Sequence, residues 1–381
     1  AECRKRGERH LGGKKKVREL IGGPWADRYT LSHLVKDEDP DFFPPEYWKR
    51  TWRILPHGPL AAGFLTGNFN AISVSAAAST GIMDLRSNRW CYDMLGALAS
   101  EEYQKLARKQ LPKIVDHYQE LGTLSDHVCL EAGIDKDCAP SVFPTSDDQQ
   151  AGLVGGGAVD DGQLAIILGN SAVVNSSSNA PPKGDALDVM KLNWGPYLWM
   201  RCYSNGAYFV DRVVGKQSHW TGEHWKKLEA AAEKISPAAK GHEIFPFSEP
   251  EPSLGVSVKQ AGVRWINKEP KQPGQRYRSA MEGLAYLIAL GVEAHEKAAG
   301  RRIQDISVSG GMARSDLMCR ILASVLDRPL KRLKSDEGPA LGAAVTAVAA
   351  YESQLRSEEG FKAKYTVADA VQQLVRFAGA V

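Results

Sequence analysis

Towards the C-terminal end of the chain, short runs of alternating apolar and polar residues give way to apolar residues at helical spacing. Ile303, Ile306 and Val308 sit among polar neighbours and read as a strand. Gly310 and Gly311 follow at once. Leu317, Met318, Ile321, Leu322, Val325 and Leu326 then recur as one helical face, with Ser315 or Asp316 as its cap. Leu330 to Leu333 reads as a second strand. The run after Gly338, from Ala340 to Ala349, reads as a helix of small side chains, suited to close packing against a flat base. Farther back, Leu164 to Leu168 reads as a strand, Gly169-Asn170-Ser171 as a tight turn, and Val173-Val174 as the returning strand. Among the first 160 residues, Trp48, Trp52, Trp90 and the stretch Tyr103 to Leu111 read as helices with buried aromatics. Asn175 to Gly184 and Asn267 to Gly274 read as loops by composition.

The glycine turns carry the chemistry. Two glycines let the backbone turn sharply and let a ligand approach without a Cβ in the way. A helix start beyond them offers unpaired N–H groups and a positive dipole end to an anion. Arg314 stands beside this turn, where a guanidinium meets an adenine face or a phosphate. The segment Asp336-Glu337-Gly338 repeats the device before the small-residue helix. One such turn is an ordinary α/β connection. Two of them flanking one helix point to a nucleotide lying across two helix starts, and so to an ATP-using enzyme.

Composition narrows the class. A chain of 381 residues with 43% hydrophobic content holds two domains with full cores. The net charge of +3 is too small to argue for nucleic acid. The positive excess is local: residues 1–18 hold eight Lys and Arg against Glu2 and Glu8, and read as a solvated helix-and-loop surface. Six scattered cysteines without a C-x-x-C argue against zinc or a disulfide framework and fit a reducing cytosol. No apolar run approaches ~18 residues, so no membrane span is expected.

Gly310-Gly-Met-Ala313-Arg314-Ser315 resembles the adenosine motif of the FGGY family of carbohydrate kinases, and Glu337-Gly338-Pro-Ala-Leu-Gly-Ala-Ala resembles its closing motif. Leu65-Thr-Gly-Asn, Gly81-Ile-Met-Asp84 with Trp90, and Arg278-Ser-Ala-Met-Glu282-Gly283 resemble weaker stretches of xylulokinase-like members. The resemblance implies an α/β, two-domain actin-like ATPase (ribonuclease H-like) fold with a cleft between the domains. Residues 1–160 would be the remainder of a sugar-binding domain and 161–381 the nucleotide-binding domain. The family carries a segment before this point, with an Asp-x-Gly-Thr phosphate hairpin, so the first domain is expected to be incomplete here.

The same resemblance assigns roles. It implies phosphorylation of a sugar hydroxyl on a ketose or polyol, xylulose-like, with ATP and Mg²⁺. The general base would lie in Ser146-Asp147-Asp148-Gln149, where simple helix capping is the bland reading of either aspartate. Counting back from Val154-Gly155-Gly156-Gly157 in the family pattern selects Asp148 rather than Asp147. Gln149 stands where the family has Asn and would contact the sugar. Gly169-Asn170-Ser171, where the family reads Gly-Thr-Ser, would meet the β- and γ-phosphates through backbone N–H groups. Gly206 would open a helix beside the nucleotide. Gly310, Gly311, Ala313, Arg314, Ser315 and Gly338 would bind the adenosine part. Metal is expected on the ATP phosphates rather than in a protein cage. The expected partner is a small sugar, with no nucleic acid and no membrane, in the cytoplasm, and a homodimer is allowed. The competing expectation is a nucleotide-binding module without transfer activity, motivated by Asn170 and by Ile244 to Pro252 lacking the family's Gly-Glu-Arg.

Overall fold

A computed structural model describes residues 1–184, 186–335 and 337–380. Its centre is a seven-stranded sheet. The strands are β1 (Gln163–Leu168), β2 (Ala172–Ser178), β3 (Asp188–Lys191), β4 (Tyr197–Tyr203), β5 (Asp305–Ser309), β6 (Lys331–Leu333) and β7 (Phe377–Ala380). They lie in the order β7-β6-β5-β1-β2-β4-β3. β1, β5 and β6 are parallel, while β2 and β4 run against their neighbours. A tight hairpin joins β1 to β2, and long helical crossovers join the parallel strands, as that geometry requires.

Alternation along the strands sorts the two faces. Leu164, Ile166, Leu168 and Val174 point to one face. There they meet helices α2 (Ala207–Val214), α3 (Gly222–Glu233), α4 (Pro273–Ala299) and α5 (Asp316–Leu326) in one apolar core. The other face carries α1 (Asp148–Gly155), α6 (Gly338–Glu358) and α7 (Val367–Leu374), with Val154, Leu333, Val345 and Val371 in their own cluster. A third core runs from Val17 through Trp25, Trp48 and Leu98 to Leu198 and Met200, so the first 160 residues pack onto the outer strands of the sheet.

Three readings from the sequence need correction. Trp52 lies outside any helix and is exposed, and Trp90 sits in a two-residue strand, whereas Trp48 is buried as expected. Asn175 to Ser178 are not loop but the fully buried second half of β2. Their polar side chains misled by composition; Ser176 is satisfied by His295 Nδ1 at 2.7 Å. Pro273 and Gly274 already belong to α4, whose first turn tolerates proline. The small-residue helix α6 packs closely, as its composition suggests, with Gly338 and Gly342 against α1. A Cβ on Gly342 would lie 1.8 Å from Ala151 O, and one on Gly155 would lie 1.8 Å from Gly338 O. The absence of side chains there lets α1 and α6 touch through backbone.

Candidate active site

One end of the sheet gathers most of the glycines singled out above. The Gly169-Asn170-Ser171 turn closes β1 onto β2, and the Gly169 N–H donates to Ser171 O at 3.0 Å. The start of α2 sits directly on this turn: Ala207 N–H donates to Gly169 O at 2.9 Å. Gly206 is required there, because a Cβ would come within 2.7 Å of the Asn170 and Gly169 oxygens. Asn205 fixes the approach. It is fully buried, donates to Glu249 O at 3.1 Å, and accepts from Glu249 N–H at 2.9 Å. Ser204 N–H donates to the Glu251 carboxylate at 2.8 Å, and burial raises the pKa of that carboxyl. The segment that lacks the Gly-Glu-Arg thus anchors the turn before α2.

Gly310 comes to the same place from β5. Its φ of +91° and a Cβ position 2.6 Å from Leu168 O leave room only for glycine. Gly311 has open space around it. Between Gly310, Ala313 and Arg314 on one side and Arg332 and Lys334 on the other lies a cavity of about 300 Å³. Ser315 caps α5, accepting from Met318 N–H at 3.1 Å. Its hydroxyl donates to Glu229 at 2.7 Å, and Leu317 N–H reaches the same carboxylate at 3.2 Å. A carboxylate from α3 therefore already sits at the positive end of α5. Gly338 begins α6 beside Ser309 and Leu333, at the ends of β5 and β6; Asp336 lies outside the described residues. A larger cavity, about 540 Å³, lies farther along α5 against Arg278, Tyr286 and Ile321 and is lined by none of the residues expected to bind nucleotide or sugar.

The two aspartates stand at the start of α1. Asp147 is the N-cap of α1, accepting from Gln149 N–H at 3.0 Å, and Asp148 is the first helical residue and is exposed. Burial pushes the Asp147 carboxyl up to about 6; the neighbouring Asp148 adds to this, while the Gln149 N–H and Arg28 oppose it. α1 lies across the sheet above one row of residues in register: Ser307, Ala165, Asn175, Met200 and Asp188. Gly156 covers Ala165 and Ser307 at one end, and Gln149 meets Asn175 in the middle. At the far end Arg28 bonds Asp188 at 3.1 Å.

Arg28, Asn175, Asp188 and Cys202 were missed by sequence reasoning. Cys202 follows Met200 by two residues and so shares its sheet face. It is exposed, and burial nonetheless raises its thiol pKa, with Arg28 pulling the other way. Nothing around Arg28 or Asp188 forms a motif, and Asn175 was hidden in a run that reads as loop. Among the described residues no group of three His, Cys, Asp or Glu side chains gathers to hold a metal. All six cysteines are unpaired. No described helix is long and apolar enough to cross a membrane.

The comparisons with known proteins agree with this architecture. The C-terminal domain of the FGGY family of carbohydrate kinases matches residues 261–351. The chain is 27% identical over 307 residues to the xylulose kinase of Escherichia coli (strain K12), covering 79% of this chain and 60% of that protein. It is 23% identical over 345 residues to the xylulose kinase of Haemophilus influenzae, covering 89% and 66%. The chain thus spans less than two thirds of the length of these curated relatives. The ligand-bound xylulose kinase from Lactobacillus acidophilus superposes with a TM-score of 0.77 at 16% identity, covering 98% of this chain and 71% of that one. The fold is that of the actin-like ATPases. Residues 261–351 match the C-terminal domain of the FGGY family of carbohydrate kinases, and similarity to xylulose kinases extends over most of the chain.

Proposed function

We propose that the protein transfers the γ-phosphoryl group of ATP to a hydroxyl of a small sugar, a ketose or polyol of the xylulose kind. In this reading Asp148 takes the proton as the hydroxyl attacks, and Gln149 contacts the sugar. The hairpin at Gly169-Asn170-Ser171 faces the phosphates, Gly206 lets α2 approach, and Gly310, Gly311, Ala313, Arg314, Ser315 and Gly338 surround the adenosine. Mg²⁺ rides on the phosphates and water. Residues 1–160 act as sugar-binding domain and 161–381 as nucleotide-binding domain, in the cytoplasm, the two closing to exclude water.

The observation that carries this reading is the convergence of three separate glycine turns on the end of β1, in a chain that also presents an exposed aspartate at a helix start. Closely approached backbone suits phosphates, and an accessible carboxylate suits a hydroxyl. Arg314, Arg332 and Lys334 around the cavity supply positive charge for an anionic nucleotide. The test is ADP release from Mg-ATP against a panel of ketopentoses, aldoses and polyols, with ATP binding measured by calorimetry alongside. Release that depends on one sugar supports the kinase. ATP binding with no sugar-dependent release would replace it with a nucleotide-binding module.

A further inference from the structure

One buried side chain reaches this site from inside the sheet. Asn175, in the middle of β2, has no exposed surface. Its Nδ2 donates both to the main-chain oxygen of Gln149 and to Gln149 Oε1, at 3.3 Å each. An amide accepts only on oxygen and donates only on nitrogen. With Oε1 turned to Asn175, Gln149 must present Nε2 elsewhere, and Nε2 donates to Asp148 Oδ2 at 3.0 Å. Reversing Asn175 would set its Oδ1 against two acceptors, so the chain of bonds has one direction. Asn175 Oδ1 is left buried with no hydrogen-bond partner, an unfavourable arrangement beside Ala165 and Met200 in the same row. An apolar residue would fit that row at lower cost, so the amide needs a reason beyond packing.

We propose that Asn175 is a positioning residue for the reaction: through Gln149 it fixes one oxygen of the Asp148 carboxylate and leaves the other for the sugar hydroxyl. This rests on Asp148 being the base. Small displacements of a reacting group are expensive in rate, and a polarised chain of amides resists them.

Asn175→Val and Asn175→Thr test it. The two replacements share a shape that suits a strand, but only threonine keeps a donor. With D-xylulose and saturating Mg-ATP, kcat should fall about tenfold in Asn175→Val, as expected for one lost hydrogen bond. Asn175→Thr should recover most of it, with the KM for ATP unmoved in both. The Gln149 side-chain amide resonances, assigned with Gln149→Met, should shift in Asn175→Val and in Asp148→Asn and return towards wild type in Asn175→Thr. Equal kcat in Val and Thr variants, or Gln149 resonances indifferent to Asn175, would overturn the proposal. If the wild-type chain released no ADP with any sugar, the function reading would fall, and the resonances alone would decide the relay. If Asn175→Val does not fold, Gln149→Met must show the same kcat loss, and its absence counts against the relay.

Discussion

Gly342 lies so close to Ala151 that a Cβ on the glycine would stand 1.8 Å from the alanine carbonyl oxygen. The helix that begins at Asp148 is thereby locked to the helix that begins at Gly338. Both candidate halves of the reaction, base and nucleotide, hang on this contact. Gly342→Ala must push backbone against backbone, and should cost about 1–3 kcal/mol or more. It should lower both Tm and kcat. Gly311→Ala is the contrast: open space around it predicts an almost unchanged Tm, within ~0.5 kcal/mol, while the KM for ATP rises. Thermal melts of the two variants, with initial rates, check both halves.

The Asp147 carboxyl, raised to about 6 chiefly by burial, makes stability depend on pH. The folded state binds this proton more tightly than the unfolded chain, whose carboxyl titrates near ~4. The stabilisation is therefore fully present below about pH 4 and is lost as pH rises through about 6. Asp147→Asn caps the helix equally well and lacks the titration. Its Tm relative to wild type should climb between pH 4 and 7. Arg28→Ala removes a positive neighbour and should move that climb to higher pH. A difference that stays flat across this window would remove the buried carboxyl from the account.

Two carboxylates on α3 should behave differently. Glu229 accepts from Ser315 Oγ and Leu317 N–H at the start of α5. Glu229→Ala removes that cap and should cost ~1–2 kcal/mol. Glu233 pairs with Arg320 on the surface, both about half exposed, so Glu233→Ala should cost under ~1 kcal/mol. Denaturant midpoints of the two variants measure the contrast.

The elements with strong periodicity were legible in the sequence. The β1–β2 hairpin, the β5 strand and α5, with Ser315 one of its two candidate caps, follow from apolar spacing and glycine placement, while the helix start at Gly206 was implied by the family resemblance. What escaped depends on contacts between distant segments. Asn175 to Ser178 are polar yet buried, because Gln149 and His295 come from elsewhere to satisfy them. The small residues of α6 announce close packing, but only the structure shows that the partner is the Asp148 helix. Arg28 belongs to no motif; its place is set by Asp188, 160 residues away in the chain.

The central claim stands on Asp148. ADP release should be compared between wild type and Asp148→Asn, with each sugar of the panel and with thermal melts to confirm folding. The account predicts release that needs one sugar and falls ~10²–10⁴-fold in the variant, at an unchanged Tm. Equal release from wild type and the variant would show that Asp148 is not the base and would contradict the account.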